Sequence, residues 1–468
     1  MKQTFKRMKQ TGVLLTSLSI LSGCITHPVE NQNEAIKDLI PQTWTTTSET
    51  QTTSNHWLED FNDSTLIELV HEVEENNFGL EAAKQQVKAV EAVSRISRSL
   101  RYPTLGVNLS SGKQQSRIPS FNFQKIETES HSLTLSSQWE IDLWNRLGNA
   151  HAASLAQYEA SLLDYEALRL SLAGQVAKGW FNILEATAQF QLAQDTASSF
   201  DANRNTLEKR YQRGLISGFE LRLIRAQAAS SRAEQERYRI QLDQTKRQFE
   251  VLLGRYPSSQ LQTEGDFPRL EKNAPVGLPS DLLARRPDIM AEERRLAAVV
   301  AQDKSIQRNW LPRIALTANG GTASNQLSDL LDSDFSIWSI FGDLSAPLFQ
   351  GGRLKAERDQ SDALRLAQIA QYKNTVLIAF QEVETTLAAE TALKRFEKEI
   401  TVAAIENNKA EKQSWKLYER GLINITSVLD SQRRAFDTQR QLISIKNLRL
   451  QNRINLYLAL GGGFLTAS

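Results

Sequence analysis

Tyr211-Gln-Arg-Gly-Leu-Ile-Ser217 returns nearly unchanged as Tyr418-Glu-Arg-Gly-Leu-Ile-Asn424, a spacing of 207 residues. Each copy lies between two long segments rich in Ala, Gln and Leu. Its glycine suits the left-handed residue that closes a helix. Ser217, with Glu220 three positions on, has the form of a capping box opening the next helix. Each copy therefore reads as a tight reversal between two antiparallel helices, and a repeat this long predicts two related halves.

The flanking segments are unusually long. From about Ala152 to Tyr211 there is no proline, and only Gly174 and Gly179 interrupt. At 1.5 Å per residue such a helix reaches about 90 Å. Its partner runs from Ser217 to Leu253, before Gly254 and Pro257. In the second half, Leu354 to Tyr418 contains neither Gly nor Pro, and about 425–460 returns to Gly461-Gly462-Gly463. Tyr372, Val376, Phe380, Val383 and Leu387 step by three or four among polar residues. So narrow an apolar seam predicts coiled-coil packing. Helices of this length predict a rod or tube.

Ahead of each helical pair the apolar period shortens to two. Leu105, Val107 and Leu109, then Leu133, Leu135, Trp139 and Ile141, alternate with polar residues over about 103–142. The same pattern recurs over about 312–348. These are hairpins of strands about ten residues long. They fit a transmembrane β-barrel and a soluble antiparallel sheet equally. Four strands cannot close a barrel, and lipid does not tolerate an open edge. If they span a membrane, several chains share one barrel. Phe121, Phe123, Trp139, Trp144, Trp310, Trp338 and Phe341 are either interfacial girdle residues or core between strand and helix.

Residues 1–23 combine Lys2, Lys6, Arg7 and Lys9 with an apolar stretch from Gly12 to Leu21, the pattern of a secretory signal. Leu21-Ser22-Gly23-Cys24 resembles the lipobox of bacterial lipoproteins, which implies diacylglycerol and N-acyl lipid on Cys24. By the same resemblance Ile25 favours the outer membrane. Removing this signal moves the formal charge from +1 to −3, because it carries four cations and no anions. So balanced a charge gives no reason to expect nucleic-acid binding. Cys24 is the only cysteine, so an internal disulfide is excluded.

Residues 24–59 read as a lipidated tether, 60–262 as the first repeat and 263–468 as the second. A helix is expected after Asn62-Asp63-Ser64, with Leu66, Leu69, Val70 and Val73 on one face, and another from about Leu80 to Leu100. Pro268, Pro275 and Pro279 mark the connector, and Ser280 is a candidate cap for the helix beyond it.

No enzyme signature emerges. His27, His56, His71, His131 and His151 are scattered without metal-ligand spacing, and no cofactor is implied. Gly351-Gly352-Arg353 lacks a phosphate-loop lysine and reads as a strand-to-helix turn. Met290 is the one methionine beyond the signal, which leaves a methionine-lined copper path unsupported.

Taken together, the chain resembles the outer-membrane efflux proteins of the TolC/OprM type, lipoprotein branch. The lipobox, Gly277-Leu-Pro-Ser…Arg285-Arg286-Pro287-Asp288-Ile289, Trp139-Glu-Ile-Asp-Leu-Trp144, Ser345-Ala-Pro-Leu-Phe-Gln-Gly-Gly-Arg353 and the twin tips carry that resemblance. It implies a mainly α protomer with a pair of β-hairpins. As a homotrimer, it would build a 12-stranded outer-membrane β-barrel continuous with a periplasmic α-helical barrel. It also implies a periplasmic membrane-fusion adaptor and an inner-membrane proton-driven pump as partners, with transport through the duct itself passive. The tips, Arg213-Gly214-Leu215-Ile216-Ser217 and Arg420-Gly421-Leu422-Ile423-Asn424, would dock the adaptor.

Asp430 matches the aspartate of the family's periplasmic gate, and the 207-residue shift sets Arg222 and Arg225 near its equivalent position. Three Asp430 carboxylates around an entrance would raise one another's pKa, with Arg222 or Arg225 as a candidate counter-charge. The bland alternative is an ordinary surface ion pair. A duct for type I protein secretion, or a structural envelope spacer, are the competing readings.

Overall fold

The computed structural model describes residues 36, 39–45, 57–118, 124–263, 265–270 and 277–462. By its contacts the chain divides into residues 1–40 and 41–468. The described part of the first unit is limited to a single turn, in which Leu39 N–H donates to the Ile36 carbonyl at 2.9 Å. Cys24, Phe121 and Phe123 lie outside the described residues.

The second unit carries eight α-helices and four strands among its described residues. The first half runs α1 (Ser64–Asn76), α2 (Phe78–Ser99), β1 (Thr104–Ile118), β2 (Gln124–Ile141), α3 (Arg146–Gln212) and α4 (Gly218–Leu252). The second runs α5 (Leu282–Arg285), α6 (Pro287–Gln307), β3 (Arg313–Ser324), β4 (Ser336–Ser345), α7 (Arg353–Glu419) and α8 (Ile425–Ala459). Helices α3 and α7 have 67 residues each, and α4 and α8 have 35 each. At 1.5 Å per residue α3 is about 100 Å long.

Local signals place these boundaries. Asp63 caps α1 by accepting from Leu66 N–H at 3.1 Å, and Asn77 caps α2 through Leu80 N–H at 3.0 Å. Ser217 and Glu220 form the capping box that opens α4. Asn424 does the same work for α8, accepting from Ser427 N–H at 2.9 Å. Ser280 is no cap, because it lies inside a 3-10 turn, Pro279–Asp281; the Asp281 carboxylate accepts from Leu278 N–H at 3.0 Å instead. Pro287 starts α6, where a missing N–H costs nothing.

The two halves repeat their tertiary joints as well as their elements. Asn77, between α1 and α2, donates to the Leu252 carbonyl at 2.9 Å, at the end of α4. Arg286, between α5 and α6, donates to the Ala459 carbonyl at 3.1 Å, at the end of α8. The accepting residues are 207 apart, the spacing of the tips. Arg286 goes further than its counterpart. It is buried, meets Asp288 with two hydrogen bonds (3.0 and 2.7 Å), and reaches Glu382 on α7 at 2.6 Å.

The main core lies where α1 crosses α3 and the last turns of α4 and α8. It holds Leu66, Leu69, Val70, Val73, Val176, Phe181, Phe249, Ile454 and Tyr457. Trp57 and Phe61 also belong to it, with Trp57 stacked 5.8 Å from Tyr457 and Phe61 5.3 Å from Phe181. The segment read as a tether is thus core at its end, and its middle is anchored too. Trp44 is buried, donates from Nε1 to the Gly277 carbonyl at 2.7 Å, and packs edge-on against Phe380. Aromatic bulk in polar sequence explains both, since each indole removes a large apolar area from water. The seam of Tyr372, Val376, Phe380, Val383 and Leu387 is buried throughout.

Candidate functional site: an apolar band and two helical tips

The four strands form an antiparallel meander ordered β1-β2-β3-β4. Its register aligns side chains into rows that cross the sheet. One face carries Ile141–Ile314–Leu344, Trp139–Leu316–Gly342, Leu105–Ser137–Ala318–Ile340, Val107–Leu135–Gly320–Trp338 and Leu109–Leu133–Thr322–Ser336. Five rows two residues apart span about 26 Å along a strand, close to the roughly 25 Å apolar band of an outer-membrane barrel. The other face is mostly small and polar at mid-height, with rows such as Gly106–Ser136–Asn319–Ser339 and Asn108–Thr134–Gly321–Ile337, and carries Phe341 and the row Glu140–Ala315–Asp343 nearer the helices. On the apolar face Trp338 is 80% exposed, Leu105 74% and Leu344 70%. An apolar surface of this extent needs a non-aqueous neighbour. Strands β1 and β4 are both edges, with no outer partner among the described residues.

At the helical end of the sheet, Trp139-Glu-Ile-Asp-Leu-Trp144 is a joint. Trp139 Nε1 donates to the Arg101 carbonyl at 3.0 Å, and Trp144 Nε1 to the Pro312 carbonyl at 2.7 Å. Glu140 pairs with Arg146 at 2.7 Å. Asp142 accepts from Leu147 and Gly148 N–H at 3.0 and 2.7 Å, satisfying the first turn of α3. Trp139 therefore stands in a low row of the band and ties it to the joint, Trp144 belongs to the joint, and Trp338 stands higher in the band. Gly351 (φ 57°) and Gly352 (φ 85°) make the matching turn from β4 into α7. The strands exceed the expected ten residues in the first half, where β1 has 15 and β2 has 18. Their polar ends pair as regularly as their apolar ones, a continuation that hydrophobic alternation does not report.

The far ends of the long helices form the tips. Gly214 (φ 73°) and Gly421 (φ 75°) take the left-handed conformation that stops each helix. Leu215 N–H bonds back to the Arg210 carbonyl at 3.0 Å, and Leu422 N–H to the Leu417 carbonyl at 2.9 Å. Both turns are Schellman motifs. Arg213, Ser217, Arg420 and Asn424 are exposed around them. Leu215 and Leu422 point outward, 62% and 66% exposed, while Ile216 and Ile423 turn back onto a shared core. That core joins Phe200, Leu207, Leu221 and Ile224 to Tyr418, Ile425 and Val428, so the two tips pack as one body. Sequence reasoning missed Phe219, exposed at the start of α4. Its signal was available, since Phe219 falls off the face set by Leu221 and Ile224.

Asp430 sits on the second turn of α8 and is held by its own helix. It accepts from Arg433 Nη2 at 2.6 Å and from Arg434 Nε at 3.0 Å. These hydrogen bonds, Arg434 first and Arg433 second, hold its carboxyl below the usual carboxylate value. Within one chain the pKa direction is thus opposite to that expected from converging carboxylates. Arg225 is engaged by Glu208 at 2.9 Å, and Arg222 makes no ion pair among the described residues. Neither meets Asp430 within the chain.

A family model described as "Outer membrane efflux protein" matches residues 69–255 and 278–462, the two halves in turn. The outer membrane protein OprJ of Pseudomonas aeruginosa is 30% identical over 412 residues, covering 87% of this chain and 86% of that protein. The toluene efflux pump outer membrane protein TtgF of Pseudomonas putida is 29% identical over 421 residues, covering 89% and 87%. The solved outer-membrane channel OprN shares the fold, with a TM-score of 0.85 at 23% identity, covering 91% of this chain and 97% of that one.

Proposed function

The chain belongs to the outer membrane efflux protein family, and from that premise we propose that it is the exit duct of a tripartite efflux pump. Three copies would each give four strands to a 12-stranded barrel and their long helices to a periplasmic α-barrel. The observation that carries this reading is the sheet with two open edges and one apolar face about 25 Å tall. Lipid accepts such a face and rejects such edges, so further copies of the sheet must close them. The opposite face, which within the band carries Ile337 and Phe341 among mostly small polar side chains, would line a water-filled lumen, with Glu140 and Asp343 at its helical end. Energy would come from a proton-driven inner-membrane pump, reached through a periplasmic adaptor.

The tips are the entrance in this reading. Leu215, Leu422 and Phe219 are exposed apolar side chains at the helical tips, and an adaptor's helical tips would cover them. Asp430, presented in three copies and flanked by Arg433 and Arg434, would form the charged constriction just inside. Lipid on Cys24 would fasten the N-terminal segment to the membrane. The test is efflux by cells whose only copy carries Leu422→Asp. Loss of drug efflux with trimers still resisting mild detergent supports docking at this tip; retained efflux contradicts it.

A further inference from the structure

The helical tips carry an excess of positive charge that the rest of the chain does not share. Residues 204–227 and 411–434, superposed by the 207-residue shift, hold eleven Lys and Arg against five Asp and Glu. Widening both windows by seven residues at each end still leaves an excess of five. The whole chain is nearly balanced, with 55 Lys and Arg against 54 Asp and Glu. At the far end of the sheet the sign is reversed, since the turn between β3 and β4 holds Asp329, Asp332 and Asp334 and no cation. We propose that the tip end of the duct is an anion-selective mouth, and that the solutes it admits most readily are organic anions. This rests on the reading that the chain forms a duct entered at its tips.

Helix chemistry accounts for only part of the excess. Lys209, Arg210 and Lys416 lie in the last turns of α3 and α7, where the helix dipole favours a cation. Arg222 and Arg225 stand near the opposite, positive end of α4, and Arg433 and Arg434 stand in the third turn of α8. Those four gain nothing from a dipole.

Local carboxylates do not cancel the charge. Glu208 is taken by Arg225 at 2.9 Å. Asp430 is shared by Arg433, at 2.6 Å, and Arg434, so one carboxylate meets two guanidinium side chains that are each 68% exposed. Glu220 is engaged in the capping box of α4. Glu411 is half-buried beside Lys412, which leaves Glu419 as the exposed carboxylate without an ion pair. Against it, Lys209, Arg213, Arg222, Lys416 and Arg420 are exposed and make no ion pair among the described residues.

Three copies around one opening would triple this excess. Charge of one sign around a narrow opening focuses the field into it and concentrates ions of the other sign. At physiological ionic strength the field reaches about 8 Å into solution, enough to govern a constriction of that order. Leu215, Leu422 and Phe219, exposed within the same two windows, offer contact to the apolar body of an organic anion.

The experiment records full-length protein in planar bilayers under a KCl gradient and reads the reversal potential. Wild-type openings are expected to favour chloride over potassium by about threefold or more near 0.1 M salt. Near 1 M, where the Debye length shrinks from about 10 to about 3 Å, the ratio is expected to fall toward one. The variant Arg213→Gln, Arg222→Gln, Arg420→Gln, Arg434→Gln removes four of the eleven cations and leaves Arg433 on Asp430 and Arg225 on Glu208. It is expected to lose most of the preference at low salt. Wild-type openings that favour potassium or neither ion overturn the proposal, and so does a chloride preference that neither salt nor the variant moves. The salt series needs only the wild type, so it decides even where the variant does not assemble. Benzenesulfonate is expected to carry current in place of chloride, and its exclusion overturns organic anions as the substrate class. Absence of any discrete conductance overturns the duct and the proposal together, whereas unselective conductance overturns only the proposal.

Discussion

The hydroxyl of Tyr418, at the end of α7, donates to the carboxylate of Glu220, in the first turn of α4, at 3.4 Å. One tip therefore grips the other. The Tyr418 ring is 7% exposed, and the Arg210 guanidinium lies 5.4 Å from its centre. Burial, and then the Glu220 charge, push its phenol above the usual value, so it stays a hydrogen-bond donor at any physiological pH. Its counterpart in the other half, Tyr211, is 45% exposed and meets no such partner. Two near-identical motifs thus do unequal work.

Replacing Tyr418 by Ala is expected to destabilise the joined tips by about 3 kcal/mol, the cost of emptying a buried aromatic site. Tyr418→Phe keeps the ring and is expected to cost about 1 kcal/mol or less. Tyr211→Ala should stay within about 0.5 kcal/mol of wild type. Hydrogen exchange of the first turns of α4 measures all three. Equal protection in Tyr418→Ala and wild type would show that the contact holds nothing.

Arg286→Ala is expected to cost about 2–3 kcal/mol, because it removes a buried guanidinium from the half-exposed Glu382 and Asp288 carboxylates and from the Ala459 carbonyl. Arg286→Lys is not a rescue, since an ammonium cannot make the two parallel bonds to Asp288. Burial disfavours the Asp288 carboxylate, yet the Arg286 hydrogen bond outweighs it and holds the pKa below the usual value. A depressed pKa places this stabilisation above the carboxylate's ordinary range, to be lost as pH falls through the lower folded value. Thermal unfolding should therefore soften in acid for the wild type and show a shallower acid slope in Arg286→Ala.

Gly179 lies inside α3, where an added Cβ would stand 2.6 Å from the Phe249 ring. Gly179→Val should cost about 1–3 kcal/mol through overpacking. Phe249→Leu introduced with it should recover part of that loss, as residues in contact are not additive. Denaturation of the double variant against both singles measures the coupling. Simple additivity would mean that α3 and α4 do not approach closely there.

Much of this was legible in the sequence because a few residues carry strong local physics. Gly214 and Gly421 announced the tips, Ser217 with Glu220 announced a helix start, and Tyr372 through Leu387 announced a seam. The repeat then doubled each signal. What stayed hidden was tertiary. Asn77 and Arg286 perform one task with unrelated side chains, so no comparison of residue types links them. Trp44 sits in polar sequence, and its partners, Gly277 and Phe380, are hundreds of residues away. The charged ends of β1 and β2 follow no apolar period. Asp430 was singled out as a gate residue with Arg222 or Arg225 as counter-charge, and within the chain its partners are instead Arg433 and Arg434, one turn along the same helix.

Because hydrogen bonds from Arg434 and Arg433 hold the Asp430 pKa below its ordinary value, the carboxylate is charged near neutral pH. Any closure that depends on it is expected to be indifferent to pH between about 7 and 5 and to relax only in stronger acid. Channel recordings across that range check this. Opening that begins near pH 6 would assign closure to another group.

A duct closed at its helical tips has an electrical signature, and conductance in planar bilayers reads it. Purified full-length protein is expected to insert and stay mostly closed, with brief openings, while Asp430→Ala and Tyr418→Ala give long-lived open levels of the same lumen. Absence of discrete conductance in all three would contradict the duct, and identical closure in all three would place the gate elsewhere.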